Sequence, residues 1–114
     1  MITFTSPLAK WPGTISLPDY DDFTGEDWNV WRKAMDGTGE NETLNRRYCF
    51  GGLKLVEKIG EWKMETIDLA EMQKWAKDKK AERTRLVSWV GKCVAEYIDE
   101  LIDPKGLAGT PNDS

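Results

Sequence analysis

The last part of the chain carries the pattern that most restricts the fold, an apolar stripe that recurs every three or four residues. The stripe consists of Leu86, Val90, Val94, Tyr97 and Leu101. This spacing places all of its members on one face of an α-helix and predicts a helix from about Leu86 to Asp103, ended by Pro104 and Gly106. Because such a face must be covered, we expect this helix to carry the core of the domain.

A helix is also predicted nearer the start of the chain. Thr24 followed by Gly25, Glu26 and Asp27 has the form of a capping box, with acidic residues where the helix dipole favours them. Trp28, Trp31 and Met35 then follow at three- and four-residue steps. The prediction is a helix from about Gly25 to Met35.

A second helical pattern extends from about Asn41 to Ile59 and contains two adjacent glycines, Gly51 and Gly52. Inside a helix, each glycine costs about 1 kcal/mol relative to alanine. The pair therefore marks either a kink or the close approach of another element. We interpret the segment as one kinked helix.

The chain between the second helix and the last one is less regular. Residues 61–66 are predicted to be a connector, with Trp62 and Met64 held against the core. Asp68 is placed to cap a short third helix. Residues 77–85 contain no apolar side chain except Ala81, and this run is either a polar link or an exposed stretch of one long helix.

The first 20 residues contain several prolines and cannot form a helix. Ile2 and Phe4, and later Ile15 and Leu17, alternate with Thr and Ser in the manner of short strands. Two alternatives stay open, a β-hairpin anchored on the helices by Trp11 and Leu17, or an irregular extended arm.

These patterns predict a mainly α fold, a small domain of three or four helices with a short N-terminal extended arm or β-hairpin. We expect one domain over residues 1–106, including the arm at residues 1–20, and a flexible tail at residues 107–114.

Composition excludes much familiar enzyme chemistry. The chain has 114 residues and no His, so it has no imidazole base and no His-ligated metal site. Cys49 and Cys93 have apolar neighbours and are expected to be buried, reduced thiols. Capping and solvation explain the acidic residues around the first helix start, which are Asp19, Asp21, Asp22, Glu26 and Asp27. We expect no catalytic residues, metal or cofactor, and hence no enzyme.

Charge and hydropathy limit the classes of partner that we expect this chain to bind. The net charge is −4, which argues against a dedicated nucleic-acid binder, because phosphate affinity comes from clustered Lys and Arg. No stretch approaches the length of a membrane span, and the N-terminus does not have the form of a signal peptide. We expect a cytoplasmic protein that binds other proteins, with self-association left open.

Candidate contact residues come from the aromatic excess and from one basic run. Six tryptophans are many for a core of this size, and Trp28 and Trp31 on the first helix are the favoured interface anchors. The basic run is most simply a solvated helix surface, and an acidic protein surface is its expected partner if it has one. Its candidate contact residues are Lys74, Lys77, Lys80 and Arg83.

Several segments together resemble small proteins encoded beside the tail genes of long-tailed bacteriophages. The resemblance starts with Lys-Trp-Pro-Gly-Thr-Ile-Ser-Leu-Pro-Asp at residues 10–19 and a helix with spaced tryptophans at residues 28–35. It continues with Ile-Gly-Glu-Trp-Lys-Met at residues 59–64 and with a last helix that contains Leu-Val-Ser-Trp-Val at residues 86–90.

The resemblance implies a tail assembly chaperone, a helical protein that keeps the tape measure protein soluble while tube subunits assemble around it. Two alternatives stay open: a structural head-tail or minor tail component that remains in the virion, and an antagonist that binds a host protein.

Overall fold

A computed structural model of the protein describes residues 1–38, 43–77 and 83–103, with the backbone alone at residues 76 and 77. Within these ranges the chain is mainly helical and has a small antiparallel sheet, as predicted. The helices are α1 (Gly25–Asp36), α2 (Leu44–Ile59), α3 (Leu69–Lys77) and α4 (Thr84–Ile102). The strands are β1 (Ile2–Thr5), β2 (Gly13–Leu17) and β3 (Glu61–Met64). The predicted tail at residues 107–114 lies outside the described residues.

The N-terminal segment forms the hairpin rather than the irregular arm. β1 pairs with β2 in an antiparallel register that places Phe4 opposite Ile15 and Ile2 opposite Leu17. Ile15 and Leu17 are fully buried, and Trp11 is partly buried against the same core. The hairpin is stable because its apolar face lies on the helices, as a hairpin this small requires.

The expectation of a connector at residues 61–66 is wrong in one respect, because its first four residues form β3. This strand pairs with β2, so that Trp62 lies opposite Ile15 and Met64 opposite Gly13. Gly13 has a φ of +132°, and the backbone of Met64 lies so close that a side chain could not be accommodated at Gly13. Met64 is buried and Trp62 partly buried, so both are held against the core as predicted.

α2 is the central helix, and its two adjacent glycines face two different neighbours. A β-carbon at Gly51 would lie 2.8 Å from the ring of Trp31 on α1. At Gly52 it would overlap the side chain of Val94 on α4. The backbone stays α-helical through both positions. The glycines are therefore explained by the close approach of α1 and α4, which was the alternative to a kink.

The predicted limits of α1 and α4 agree with the structure to within two residues, but the start of α2 differs. α2 begins at Leu44 rather than Asn41, because Thr43 is extended and its hydroxyl accepts a hydrogen bond from the Arg46 backbone N–H. Arg83 is also extended, with φ −97° and ψ 99°. α3 and α4 are thus two helices, and of the two alternatives for residues 77–85 the one long helix is wrong.

None of the helices in the described ranges is both long enough and apolar enough to cross a lipid bilayer.

Candidate partner-binding surfaces

Trp31, one of the two favoured anchors on α1, belongs to the core. Its side chain is 4% exposed, and its ring contacts the ring of Tyr48 on α2 at a centroid distance of 5.3 Å. Gly51 leaves the space that this indole fills. A partner cannot reach Trp31 in this structure, because α2 covers it.

Trp28, the other anchor, lies at the edge of the same stripe. It is partly buried, packs against the core and occupies the first turns of α1. The capping box fixes this end of the helix: the Thr24 hydroxyl accepts from the Asp27 N–H at 3.2 Å, and the Asp27 carboxylate accepts from the Thr24 N–H at 3.0 Å. Trp28 therefore follows a fixed helix start, and the residue is partly exposed.

All the tryptophans except Trp31 share this intermediate position. Trp31 is buried, and the five others, Trp28 included, are partly buried against the core. Each contributes apolar area to the fold and an edge to the surface, so the aromatic excess is divided between the core and its rim. One of them has a polar anchor: the Trp62 indole N–H donates to the Ile67 carbonyl at 2.8 Å.

The basic run is described only in part. Lys74 is exposed on α3, Lys77 is described by its backbone alone, and Lys80 lies outside the described residues. The guanidinium of Arg83 lies over the ring of Trp75, 4.7 Å from its centroid. This cation–π contact joins the residue before α4 to α3. The four predicted basic contacts are thus not shown to form one surface.

A groove between α1 and α2 was missed by the sequence analysis. Apolar side chains on α1 and lysines on both helices line it, with a volume of about 300 Å³. The lining residues are Val30, Lys33, Ala34, Lys54 and Lys58. Each helix contributes residues four apart, and this spacing could be read from the sequence as a row on one helix face. Only the packing of α1 on α2 shows that the two rows face each other.

An acidic recess lies where β1, the turn after β2 and the end of α4 meet. Its lining is formed by Ile2, Asp19, Tyr20, Asp21, Glu100 and Leu101. Burial, and then the carboxylates of Glu100 and Glu96, raise the pKa of the Tyr20 hydroxyl above its usual value. Among the residues that the structure describes, no three acidic or thiol side chains are grouped as metal ligands.

The acidic residues around the start of α1 serve in part as helix caps, as predicted. Asp27 completes the capping box of α1, and Asp21 and Asp22 lie in a single 3-10 turn, Tyr20–Asp22, just before it. On α3, the Asp68 carboxylate accepts a hydrogen bond from the Glu71 N–H at 2.8 Å, which confirms its predicted role as a cap.

Both cysteines are free thiols within the core, as predicted. Burial raises the thiol pKa of Cys49 from 9.0 to about 12, and it does the same for Cys93, with a further contribution from Glu96. A buried thiol that stays protonated is a poor nucleophile.

No protein-family model matches the chain, and comparisons with curated proteins and with solved structures gave no match either.

Proposed function

We propose that this protein is a non-enzymatic tail assembly chaperone of a long-tailed bacteriophage that binds the tape measure protein in the cytoplasm of the host cell. The resemblance of its tryptophan-bearing segments to such proteins supports the phage assignment. Trp28 is the observation that carries the binding role, because it presents a partly exposed indole near the start of α1 in a small helical domain.

In the proposed mechanism, apolar segments of the tape measure protein pack against this rim and are released when tube subunits cover them. Binding is reversible and needs no covalent step. A partly exposed indole suits this task, because it offers a large apolar contact and loses little conformational entropy on binding.

The test is capture of a co-expressed tape measure protein by Trp28→Ala. Truncation of an interface tryptophan costs about 2 kcal/mol or more of binding energy, so we expect capture to fall about thirtyfold while the thermal transition changes little. Trp89→Ala is the matched control, since Trp89 is also partly buried but lies on α4.

Three results would contradict the proposal. If Trp28→Ala captures the tape measure protein as well as the wild type does, Trp28 is not the contact. Equal losses for Trp28→Ala and Trp89→Ala would indicate a general loss of folding. Recovery of the protein from purified virions by mass spectrometry would favour a structural tail component instead.

A further inference from the structure

The groove between α1 and α2 combines an apolar floor with a positively charged rim. Val30 and Ala34 form one row along α1, and Lys54 and Lys58 form a second row along α2. An adjoining recess shares Ala34 and Lys54 and extends the α2 row back to Phe50. From residue 50 to residue 58 this row spans about 12 Å, which is two helical turns.

The rim charge opposes the overall charge of the molecule. The chain carries a net charge of −4, yet Lys33, Lys54 and Lys58 all line this groove. Lys54 is paired with Glu57, with 3.3 Å between Nζ and Oε1. Hydrogen bonds from Gln73 and then Lys54 hold the pKa of Glu57 below its usual value, so this carboxylate stays ionised. Lys33 and Lys58 make no ion pair within the described part of the chain, although the charge of Lys58 contributes to the lowered pKa of Glu57.

The groove does not include Trp28. Val30 and Ala34 lie four residues apart on one flank of α1, whereas helical spacing places Trp28 on the opposite side of the buried stripe that contains Trp31 and Met35. The two surfaces are separate, and a partner can occupy one without touching the other.

We infer that this groove binds an acidic amphipathic helix of a partner protein. Rows with four-residue spacing form the ridges between which another helix packs, so an apolar stripe with the same spacing fits the floor of Val30 and Ala34. Glu or Asp residues that flank the stripe lie within reach of Lys33 and Lys58. The inference goes beyond the proposed function, since it concerns a second surface and any partner with this chemistry.

The test uses a synthetic helical peptide of about 18 residues, or five turns, with a leucine stripe flanked by glutamates. Its binding to the full chain is followed by fluorescence anisotropy at low and high salt. Lys33→Gln/Lys58→Gln is expected to weaken binding about tenfold at low salt, and high salt should reduce the difference. A second variant, Ala34→Gln, fills the floor without changing the charge and should also weaken binding.

The control variant, Arg85→Gln/Lys92→Gln, removes two exposed positive charges from α4 and should bind the peptide as the wild type does. Lys33 and Lys58 lie in the last turns of their helices, where the helix dipole favours cations. Thermal unfolding of each variant therefore separates a loss of binding from a loss of folding.

Four outcomes overturn the inference. The first is failure of the wild type to bind the peptide, and the second is an equal effect of the α4 control. The third is loss on Lys33→Gln/Lys58→Gln but not on Ala34→Gln, which would show charge attraction without a groove. In the fourth, Lys33→Gln/Lys58→Gln binds the peptide as the wild type does. The same variant then weakens the binding of a single-stranded oligonucleotide or of a second copy of the chain. Failure of the tape measure capture alone leaves this inference standing.

Discussion

Gly52 lies where α2 passes the side chain of Val94 on α4, and Val94 is fully buried. At this residue two effects oppose each other. Alanine would stabilise the helix by about 1 kcal/mol relative to glycine, but its methyl group would overlap the valine. Overpacking a dense core costs about 1–3 kcal/mol, so the steric effect decides the sign.

We therefore expect Gly52→Ala to lower the free energy of unfolding by up to about 2 kcal/mol, measured by urea denaturation. Gly25→Ala is the control, because no atom outside its own helix and its chain neighbours lies within 4 Å of a β-carbon there, and its effect should stay within about 0.5 kcal/mol. The double variant Gly52→Ala/Val94→Ala should lose less than the sum of the single losses. A Gly52→Ala protein as stable as the wild type would show that α2 and α4 separate easily.

At the scale of the element, α1 has the largest part in the proposed functions, because it carries both Trp28 and one row of the groove. Its N-terminus is fixed by two reciprocal hydrogen bonds between Thr24 and Asp27. The packing of Trp31 on α2 holds the middle of the helix. The cap thus fixes the start of α1, and the buried ring of Trp31 fixes its middle.

Thr24→Ala removes the hydroxyl that accepts from the Asp27 N–H and should destabilise the domain by about 1 kcal/mol in chemical denaturation. Thr24→Ser retains that acceptor and should remain within a few tenths of a kcal/mol of the wild type. The prediction fails if both variants lose the same amount, because the loss would then come from the threonine methyl group rather than from the cap.

At the scale of the whole molecule, the helices and the sheet share one core, and Tyr97 connects its parts. This residue of α4 is fully buried, and its hydroxyl donates to the Pro18 carbonyl after β2 at 2.7 Å. The ring also contacts Tyr20 and Phe23, at centroid distances of 5.2 and 5.8 Å. Burial is the main cause that raises the pKa of Tyr97, and burial likewise raises the thiol pKa of both cysteines.

This burial predicts a loss of stability in alkali. Below about pH 9 the thiols are protonated in both the folded and the unfolded chain, whereas between pH 9 and about 12 the unfolded chain releases protons that the folded one keeps. The free energy of unfolding should therefore fall as pH rises, by up to about 1.4 kcal/mol per pH unit for each thiol.

Urea denaturation at several pH values between about 8 and 11 measures this slope. Cys49→Ala removes one of the groups and should give a shallower slope, whatever its effect on stability at neutral pH. If the slope of Cys49→Ala equals that of the wild type, Cys49 does not keep its proton in the folded state.

Local patterns in the sequence determined the helical class, the limits of α1 and α4, the caps at Thr24 and Asp68, and the alternation that forms the hairpin. These features depend on residues within one or two turns of each other, so their physics is contained in short segments. The alternation of Glu61-Trp62-Lys63-Met64 was present as well, but four residues were too few to distinguish a strand from a connector.

Tertiary structure alone decided which faces meet. The reason for Gly51 and Gly52 lies on α1 and α4, far away in sequence, and the burial of Trp31 depends on where α2 crosses the stripe. The groove likewise exists only because the rows of α1 and α2 lie side by side. A periodic pattern fixes which side chains share a helix face, but the partner of that face is set by packing of the whole chain.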